Sequence, residues 1–231
     1  TRDGQIKDFE TLQLAAIHAA TSARTKAGIA GVKIAGCLPP LVASYHAEVA
    51  LAYDEMLASY SQIVALQAPH VDVFLCETIP SVAEAKAALL AAKKSGLPVW
   101  VSLTIQDDNK AQLRSGEPLS QAVAMLHELG ADAILLNCSK PEAILAAWPQ
   151  MLSESGLTGA YANGFTSVDS LKPGGTVTSM ESRSDLNPEA YALFALQWAK
   201  NGAGLIGGCC EVGPAHIAEL AKRFTQAGYI V

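Results

Sequence analysis

The sequence predicts an α/β protein built around a parallel β-sheet. Six short apolar segments begin near residues 32, 71, 98, 133, 157 and 204, and a helical pattern follows each of them. Apolar strands that alternate with helices are typical of a parallel sheet, either a (β/α)8 TIM-type barrel or an open doubly wound sheet. Because a helix at residues 8–26 precedes the first strand, we predict a single barrel domain over residues 1–231 that lacks its first two strands.

Residue patterns place the helices and strands along the chain. Leu12, Ala16 and Ala20 recur at helical spacing in the first helix, and Ser81 followed by Glu84 has the spacing of a capping box. Further helices are predicted at 48–67, 81–96, 119–129, 141–155, 188–200 and 214–226, and strands at 32–35, 71–76, 98–105, 133–137, 157–162 and 204–206. A polar segment at 166–187 interrupts this alternation, and we predict a substrate-covering loop there because long loops in compact domains are often functional.

The composition indicates a soluble, intracellular protein. Of the 231 residues, 50% are hydrophobic and 16% are charged, and no apolar run is long enough to predict a membrane span. The net charge of -6, without a basic cluster, argues against nucleic acid or an anionic membrane as the main partner. Five cysteines and no secretory signal favour a reduced, cytoplasmic protein with functional thiols over a disulfide scaffold.

The segment from Gly204 to Ile217, GLIGGCCEVGPAHI, predicts a strand, a tight turn and a helix that starts at Pro214. Its glycines permit backbone conformations and close approaches that a side chain would forbid. The turn would therefore hold Cys209 and Cys210 beside the positive end of a helix dipole, which favours the thiolate form.

Reactive groups in parallel α/β folds lie at the C-terminal ends of the strands, and here those ends carry three cysteines and a glutamate. They are Glu77, Cys138, Cys209 and Cys210. Three thiolates with one open position form the pattern of a catalytic zinc site. The alternatives are a disulfide between the adjacent cysteines or a pair of unreactive thiols. We interpret the other two cysteines, Cys37 and Cys76, as packing residues.

Three stretches of the chain together resemble a known family. They are FLCETIP at 74–80, LLNCS at 135–139 and GGCCEVGPAHI at 207–217. In combination they resemble the homocysteine S-methyltransferases, which are zinc-dependent (β/α)8 barrels, and the likeness extends from the GCLPP turn at Gly36 to the final helix. It implies that Cys138, Cys209 and Cys210 bind zinc and that the thiolate of L-homocysteine takes the fourth position.

The resemblance also implies the remainder of the reaction. A sulfonium donor, S-methylmethionine or S-adenosylmethionine, would transfer its methyl group to homocysteine and form methionine. Glu77 would accept hydrogen bonds from the homocysteine ammonium group, and Asn163, in YANGF, would lie at the substrate-binding rim. The chain departs from the family in two ways: it has no aspartate- and glycine-rich first strand, and Ser139 stands where most relatives have a second cysteine. The first departure would leave substrate groups without partners, whereas the second spares the zinc site.

Two other functions fit parts of the pattern. A barrel aldolase or isomerase would hold a phosphate at the glycine-rich turn before Pro214 and would use Lys33 or Lys140 as its catalytic lysine. A non-catalytic zinc-binding module would bind the metal but not homocysteine. In either case, sheet edges exposed by missing strands would favour association into a homo-oligomer.

Overall fold

A computed structural model describes residues 8–108, 110–152 and 156–231. Its six parallel strands are β1 (Ala35–Leu38), β2 (Val73–Ile79), β3 (Val99–Leu103), β4 (Ala133–Asn137), β5 (Leu157–Tyr161) and β6 (Leu205–Ile206). Its α-helices are α1 (Phe9–Ala27), α2 (Tyr53–Gln67), α3 (Val82–Lys93), α4 (Leu119–Glu128), α5 (Pro141–Met151), α6 (Pro188–Lys200) and α7 (Pro214–Gln226). Over the described residues, no helix is both long and apolar enough to cross a membrane.

The strands lie side by side in the order in which they occur in the chain, from β1 to β6. A doubly wound sheet reverses direction at a switch point, and the six strands show no such reversal. Consecutive βα units that always advance in one direction are the arrangement of a barrel. The predicted α/β class of barrel type is therefore confirmed, with β1 and β6 at the two edges of the described sheet.

The core lies between the helices and one face of the sheet. Phe74, Val101 and Leu136 point to this face and are fully buried, as are Trp148 and Trp198 on the helices that cover it. Side chains alternate between the two faces of a strand, so the neighbouring residues point to the opposite, concave face. The C-terminal ends of the strands meet at one rim of that concave face, and this rim carries the candidate site.

The first two strands lie further along the chain than predicted. The strand predicted at 32–35 is observed at Ala35–Leu38, so Gly36 is in the strand and not in a turn. A side chain at Gly36 would meet Phe74 at 2.8 Å and Gln67 at 2.7 Å, which explains why the strand needs a glycine. The strand predicted at 71–76 continues to Ile79 through a bulge between Cys76 and Ile79.

Helix boundaries also differ from the prediction, most clearly at the start of α2 and at the end of α5. The helix predicted from residue 48 begins at Tyr53, because the Glu55 carboxylate accepts a hydrogen bond of 3.2 Å from the Ala52 N–H and caps the helix there. The helix predicted at 141–155 ends at Met151, and residues 153–155 of that prediction lie outside the described part of the chain. The predicted cap at Ser81 is confirmed, since its hydroxyl accepts a hydrogen bond from the Glu84 N–H at 3.3 Å.

Candidate metal and substrate site

Three cysteine sulfurs converge at the rim of the sheet. Cys138 follows β4, whereas Cys209 and Cys210 follow β6, and the three Sγ atoms lie within 4.8 Å of one another. Cys210 Sγ lies 4.0 Å from each of the other two sulfurs. The structure contains a disulfide between Cys138 and Cys209, so the predicted alternative of a disulfide between the two adjacent cysteines is wrong.

The turn that carries Cys209 and Cys210 is fastened to β5 and to the segment after it. The Cys209 N–H donates to the Ala162 carbonyl over 3.0 Å, and the Gly164 N–H donates to the Cys210 carbonyl over 2.9 Å. Gly208 packs against Val212 so closely that no side chain could be accommodated there. The predicted helix start at Pro214 is confirmed, with Gly213 as the N-cap.

The local electrostatics do not favour a free thiolate at Cys210. Burial raises the pKa of the Cys210 thiol, and the carboxylates of Glu77 and Glu211 add to this effect. The expectation that the helix dipole makes this thiol acidic is therefore wrong for the protein without bound metal. Thiolates surrounded by carboxylates need a nearby cation, and a metal ion would supply that charge.

Glu77 lies on the same rim, where the bulge in β2 directs its half-buried side chain. The Cys37 thiol donates to Glu77 Oε2 over 3.5 Å. Cys37 is open to solvent on the concave face, so its interpretation as a packing residue is wrong, whereas Cys76 is fully buried as expected. The surrounding protein partly desolvates the Cys37 thiol, and this is the main reason why its pKa is raised to about 12. The negative charge of Glu77 is the second cause. Cys37 is therefore a neutral hydrogen-bond donor to Glu77.

Asn163 lies beneath the rim and is only 1% exposed. Its Oδ1 accepts a hydrogen bond from the Phe165 N–H at 3.2 Å, and its backbone N–H donates to the Ser139 carbonyl over 3.2 Å. Within the described residues, its Nδ2 makes no hydrogen bond of good geometry, although the amide lies near Tyr45. A buried amide donor without a partner is uncommon in proteins and indicates a place for an external acceptor.

Ser139 lies apart from the sulfur cluster. Its buried hydroxyl accepts a hydrogen bond of 2.9 Å from the Ile105 N–H and lies 3.2 Å from the Thr104 hydroxyl. This side chain therefore fastens the end of β4 to the end of β3.

The segment at 166–187 packs against the sulfur site. Four of its residues or immediate neighbours form a small apolar cluster, and Tyr45 and Cys210 pack against that cluster. The members are Phe165, Val168, Leu171 and Met180. The Ser182 hydroxyl donates to the Glu211 carboxylate over 2.6 Å, which ties the base of the segment to the turn that follows the paired cysteines.

Tyr45 is a further residue of the site, and it was not identified from the sequence. It lies in the connection between β1 and α2, and its ring packs on the apolar cluster while the Arg114 guanidinium lies 5.4 Å from the ring centre. Burial raises the pKa of its phenol, and the nearby Cys210 contributes in the same direction. Tyr45 therefore stays neutral and forms part of the wall beside Cys210.

Backbone strain is concentrated around the same rim. Five non-glycine residues in the described part of the chain have positive φ, and four of them border the site: Tyr45 (70°), Thr78 (62°), Cys138 (47°) and Glu211 (66°). Side chains disfavour this left-handed conformation, and strained residues of this kind cluster at functional sites.

The fold and the site define a barrel-type α/β protein with three sulfurs and a carboxylate at the C-terminal rim. Residues 2–224 match the family model described as homocysteine S-methyltransferase. The chain belongs to the homocysteine S-methyltransferase family.

Individual relatives agree with this membership at modest identity. The chain is 32% identical to Homocysteine S-methyltransferase of Escherichia coli over 160 residues, covering 66% of this chain and 47% of that protein. It is 28% identical to Homocysteine S-methyltransferase 4 of Zea mays over 161 residues, covering 68% of this chain and 46% of that protein. The chain thus spans about half the length of these curated relatives.

Solved structures give the same result for the fold. The apo form of the homocysteine methyltransferase MmuM from Escherichia coli superposes with a TM-score of 0.67 at 25% identity, covering 93% of this chain and 74% of that chain. Its metallated form superposes with a TM-score of 0.69 at 24% identity, covering 89% and 66% of the two chains.

Proposed function

We propose that this chain forms a homocysteine-binding domain, over residues 1–231, of an enzyme that methylates L-homocysteine to methionine. The convergence of three cysteine sulfurs from two distant strand ends, beside the Glu77 carboxylate, is the observation on which the proposal rests. Family membership supports the same activity.

The residues present fit a zinc ion. Zinc–sulfur bonds of about 2.3 Å in a tetrahedral site separate the sulfurs by about 3.8 Å, close to the two Sγ distances of 4.0 Å made by Cys210. Cys138, Cys209 and Cys210 would hold the metal once the bond between the first two is reduced. Bound zinc would supply a Lewis acid that keeps the homocysteine sulfur in its thiolate form at neutral pH.

The surrounding residues would bind and orient the substrates. The Glu77 carboxylate would accept hydrogen bonds from the homocysteine ammonium group, and the unpartnered Asn163 Nδ2 would donate to a polar substrate atom. The apolar cluster of Phe165, Val168, Leu171 and Met180 would exclude water from the sulfurs. An apolar wall of this kind suits methyl transfer, in which a positively charged donor becomes neutral.

The donor in this proposal is a sulfonium compound, S-methylmethionine or S-adenosylmethionine. A lone pair of the homocysteine sulfur forms a bond to the methyl carbon while the bond from that carbon to the sulfonium breaks. The electrons of the broken bond stay on the donor sulfur, which leaves as a neutral thioether. We also propose that the protein works in the cytoplasm, because a reducing compartment keeps all three ligand thiols free.

Zinc content and homocysteine binding test the proposal. We expect about one zinc per reduced chain, and loss of that zinc in Cys209→Ser and in Cys210→Ser. Cys37→Ser is the matched control, because it also removes one thiol near the rim but lies outside the sulfur cluster. Zinc content unchanged in the first two variants would contradict the ligand assignment.

Glu77→Gln separates the substrate role from the metal role. We expect this variant to keep its zinc and to lose homocysteine affinity in isothermal titration, because the neutral amide attracts an ammonium group much less than a carboxylate does. A wild-type protein that binds zinc but shows no affinity for homocysteine would instead be the non-catalytic zinc module.

A further inference from the structure

Asn137 connects the two halves of the candidate site. It is the last residue of β4, directly before Cys138, and it is fully buried. Its side chain contacts the bulge of β2 on one side and the turn after β6 on the other.

On the β2 side, both ends of the Asn137 amide contact Thr78. The Thr78 N–H donates to Asn137 Oδ1 over 3.1 Å, and Asn137 Nδ2 donates to Thr78 Oγ1 over 2.7 Å. A backbone N–H can only donate, so it fixes which end of the amide is the oxygen. This pair of hydrogen bonds holds Thr78 in its left-handed conformation at φ 62°.

The same contacts fix the bulge that directs Glu77. In the pairing of β2 with β3, Cys76 lies opposite Val101 and Ile79 lies opposite Leu103, so Glu77 and Thr78 together face the single residue Ser102. The Ser102 hydroxyl also donates to Asn137 Oδ1, over 2.8 Å. The two Thr78 contacts are therefore the clamp that holds the bulge, and bulges commonly serve to redirect a side chain near an active site.

On the other side, Asn137 Nδ2 lies 3.9 Å from Cys209 Sγ. An amide nitrogen has two hydrogens, so it can donate to Thr78 Oγ1 and to this sulfur at the same time. This contact lies between the end of β4 and the turn after β6, so it helps to fix where the Cys209 sulfur lies.

We infer that Asn137 is a positioning residue that couples the orientation of Glu77 to the placement of Cys209. The inference rests on the proposed function, in which Glu77 binds the homocysteine ammonium group and Cys209 is a metal ligand. In this role Asn137 would act through Glu77 and Cys209, and not by binding the metal or the substrate. Groups that hold metal ligands in this indirect way commonly change metal affinity by about 10-fold to 100-fold when they are removed.

Asn137→Ala, Thr78→Val and Ser102→Ala separate the two arms of this coupling. Asn137→Ala removes every contact, so we expect zinc affinity, measured by competition with a chromophoric chelator, to fall about 10-fold to 100-fold, and homocysteine affinity to fall with it. Thr78→Val keeps the shape but removes the hydroxyl, so we expect weaker homocysteine binding and unchanged zinc affinity. Ser102→Ala is the control: it removes one buried hydrogen bond of the same network and leaves the Thr78 and Cys209 contacts in place.

A second readout distinguishes positioning from simple stabilisation. With Co²⁺ in place of zinc, the sulfur-to-metal charge-transfer absorption of Asn137→Ala should shift, because one sulfur has lost its hydrogen-bond donor. If the role of Asn137 is purely structural, Asn137→Ala should have a lower melting temperature, as Ser102→Ala should, but an unchanged absorption band and unchanged affinities for zinc and homocysteine. That result would overturn the inference.

The outcomes also separate this inference from the proposed function. If the reduced wild-type chain binds no zinc, the proposed function fails and the inference fails with it. If the wild-type chain binds zinc and homocysteine while Asn137→Ala matches it in both, only the inference fails. If Asn137→Ala does not fold, the Thr78→Val variant tests the inference instead. A Thr78→Val protein that binds homocysteine as tightly as the wild type does would contradict the role of the clamp.

Discussion

Tyr60 on α2 donates a hydrogen bond of 3.0 Å to the Glu84 carboxylate on α3, in a part of the core where both side chains are almost completely buried. The same carboxylate accepts a hydrogen bond of 3.0 Å from the Leu41 N–H. The Tyr60 hydroxyl also lies 2.9 Å from the Pro39 carbonyl. This buried carboxylate therefore anchors the connection after β1, the segment that leads to Tyr45 at the site.

The Glu84 carboxylate makes stability depend on pH, and Glu84→Gln should remove that dependence. Burial raises the pKa of Glu84, which means that the folded state keeps the proton to a higher pH than the unfolded state does. The free energy of unfolding therefore falls as the pH rises from the ordinary glutamate pKa through the raised one. We expect the variant to gain stability relative to wild type over this window, because the glutamine Oε1 retains an acceptor for both the Leu41 N–H and the Tyr60 hydroxyl.

Urea unfolding of both proteins at several pH values from acid to neutral measures this effect. Glu84→Ala is the companion variant, since it leaves the Leu41 N–H without a partner and should lose about 1–3 kcal/mol at every pH. A stability difference between wild type and Glu84→Gln that does not change with pH would show that the carboxylate has no raised pKa.

The disulfide between Cys138 and Cys209 and the proposed metal site use the same sulfurs, so the two states exclude each other. Metal ligation requires deprotonated free thiols. We expect the oxidised chain to bind no zinc and the chain treated with a thiol reductant to bind about one zinc ion. Metal analysis after gel filtration, with free thiols counted in the same samples, measures this. Equal zinc content in the oxidised and reduced samples would place the metal elsewhere.

His46 fastens the connection after β1 to the segment at 166–187. Its Nε2 lies 2.6 Å from the Leu171 carbonyl and its Nδ1 lies 2.6 Å from Glu48 Oε1, and only the imidazolium form has a hydrogen on both nitrogens. The Leu171 carbonyl and then Glu48 raise the pKa of His46, while partial burial and Lys172 oppose them. The contact is therefore strongest below the ordinary histidine pKa of about 6.5 and weakens as the pH rises through the raised value.

Limited proteolysis should detect this loss of contact. We expect cleavage of the wild-type protein within 166–187 to be slow at acid pH and to become faster as the pH rises above about 6.5. The rates are corrected for the change in protease activity with pH. In His46→Gln we expect fast cleavage at every pH. His18→Gln is the matched control, because His18 is an exposed histidine on α1. A pH profile shared by all three proteins would contradict the role of His46.

Hydrophobic periodicity predicted the order of the elements well but did not predict where the first strands lie. The apolar run at Val32–Ala35 looks like a strand, yet the ladder begins at Ala35, because the Asp72 carboxylate accepts the Ile34 N–H over 2.7 Å just before the strand. Likewise, the predicted strand stops at Cys76, but the observed strand continues through a bulge that keeps Glu77 and Thr78 in β2. Boundaries of this kind depend on cross-strand hydrogen bonds, which a single-sequence pattern does not contain.

The candidate site, too, could be predicted only in part from the sequence. Cys138, Cys209 and Cys210 were selected because strand ends share a rim, and the structure brings their sulfurs together. Their identification as zinc ligands, and the substrate roles of Glu77 and Asn163, remain predictions. Tyr45 comes from an irregular connection, so no residue type or spacing marks it in the sequence. Asn137 stands at a predicted strand end, but its contacts with Thr78 and Cys209 depend on the tertiary structure.

The left-handed residues around the rim set a limit for protein engineering. Each non-glycine residue held in such a conformation costs about 1–3 kcal/mol, and Thr78 and Cys138 are both of this type. Glycine at Thr78 would relieve that cost, but it would also remove the hydroxyl that accepts a hydrogen bond from the buried Asn137 amide. Heat tolerance in this protein should therefore be sought away from the rim, where gains in folding energy do not loosen the site.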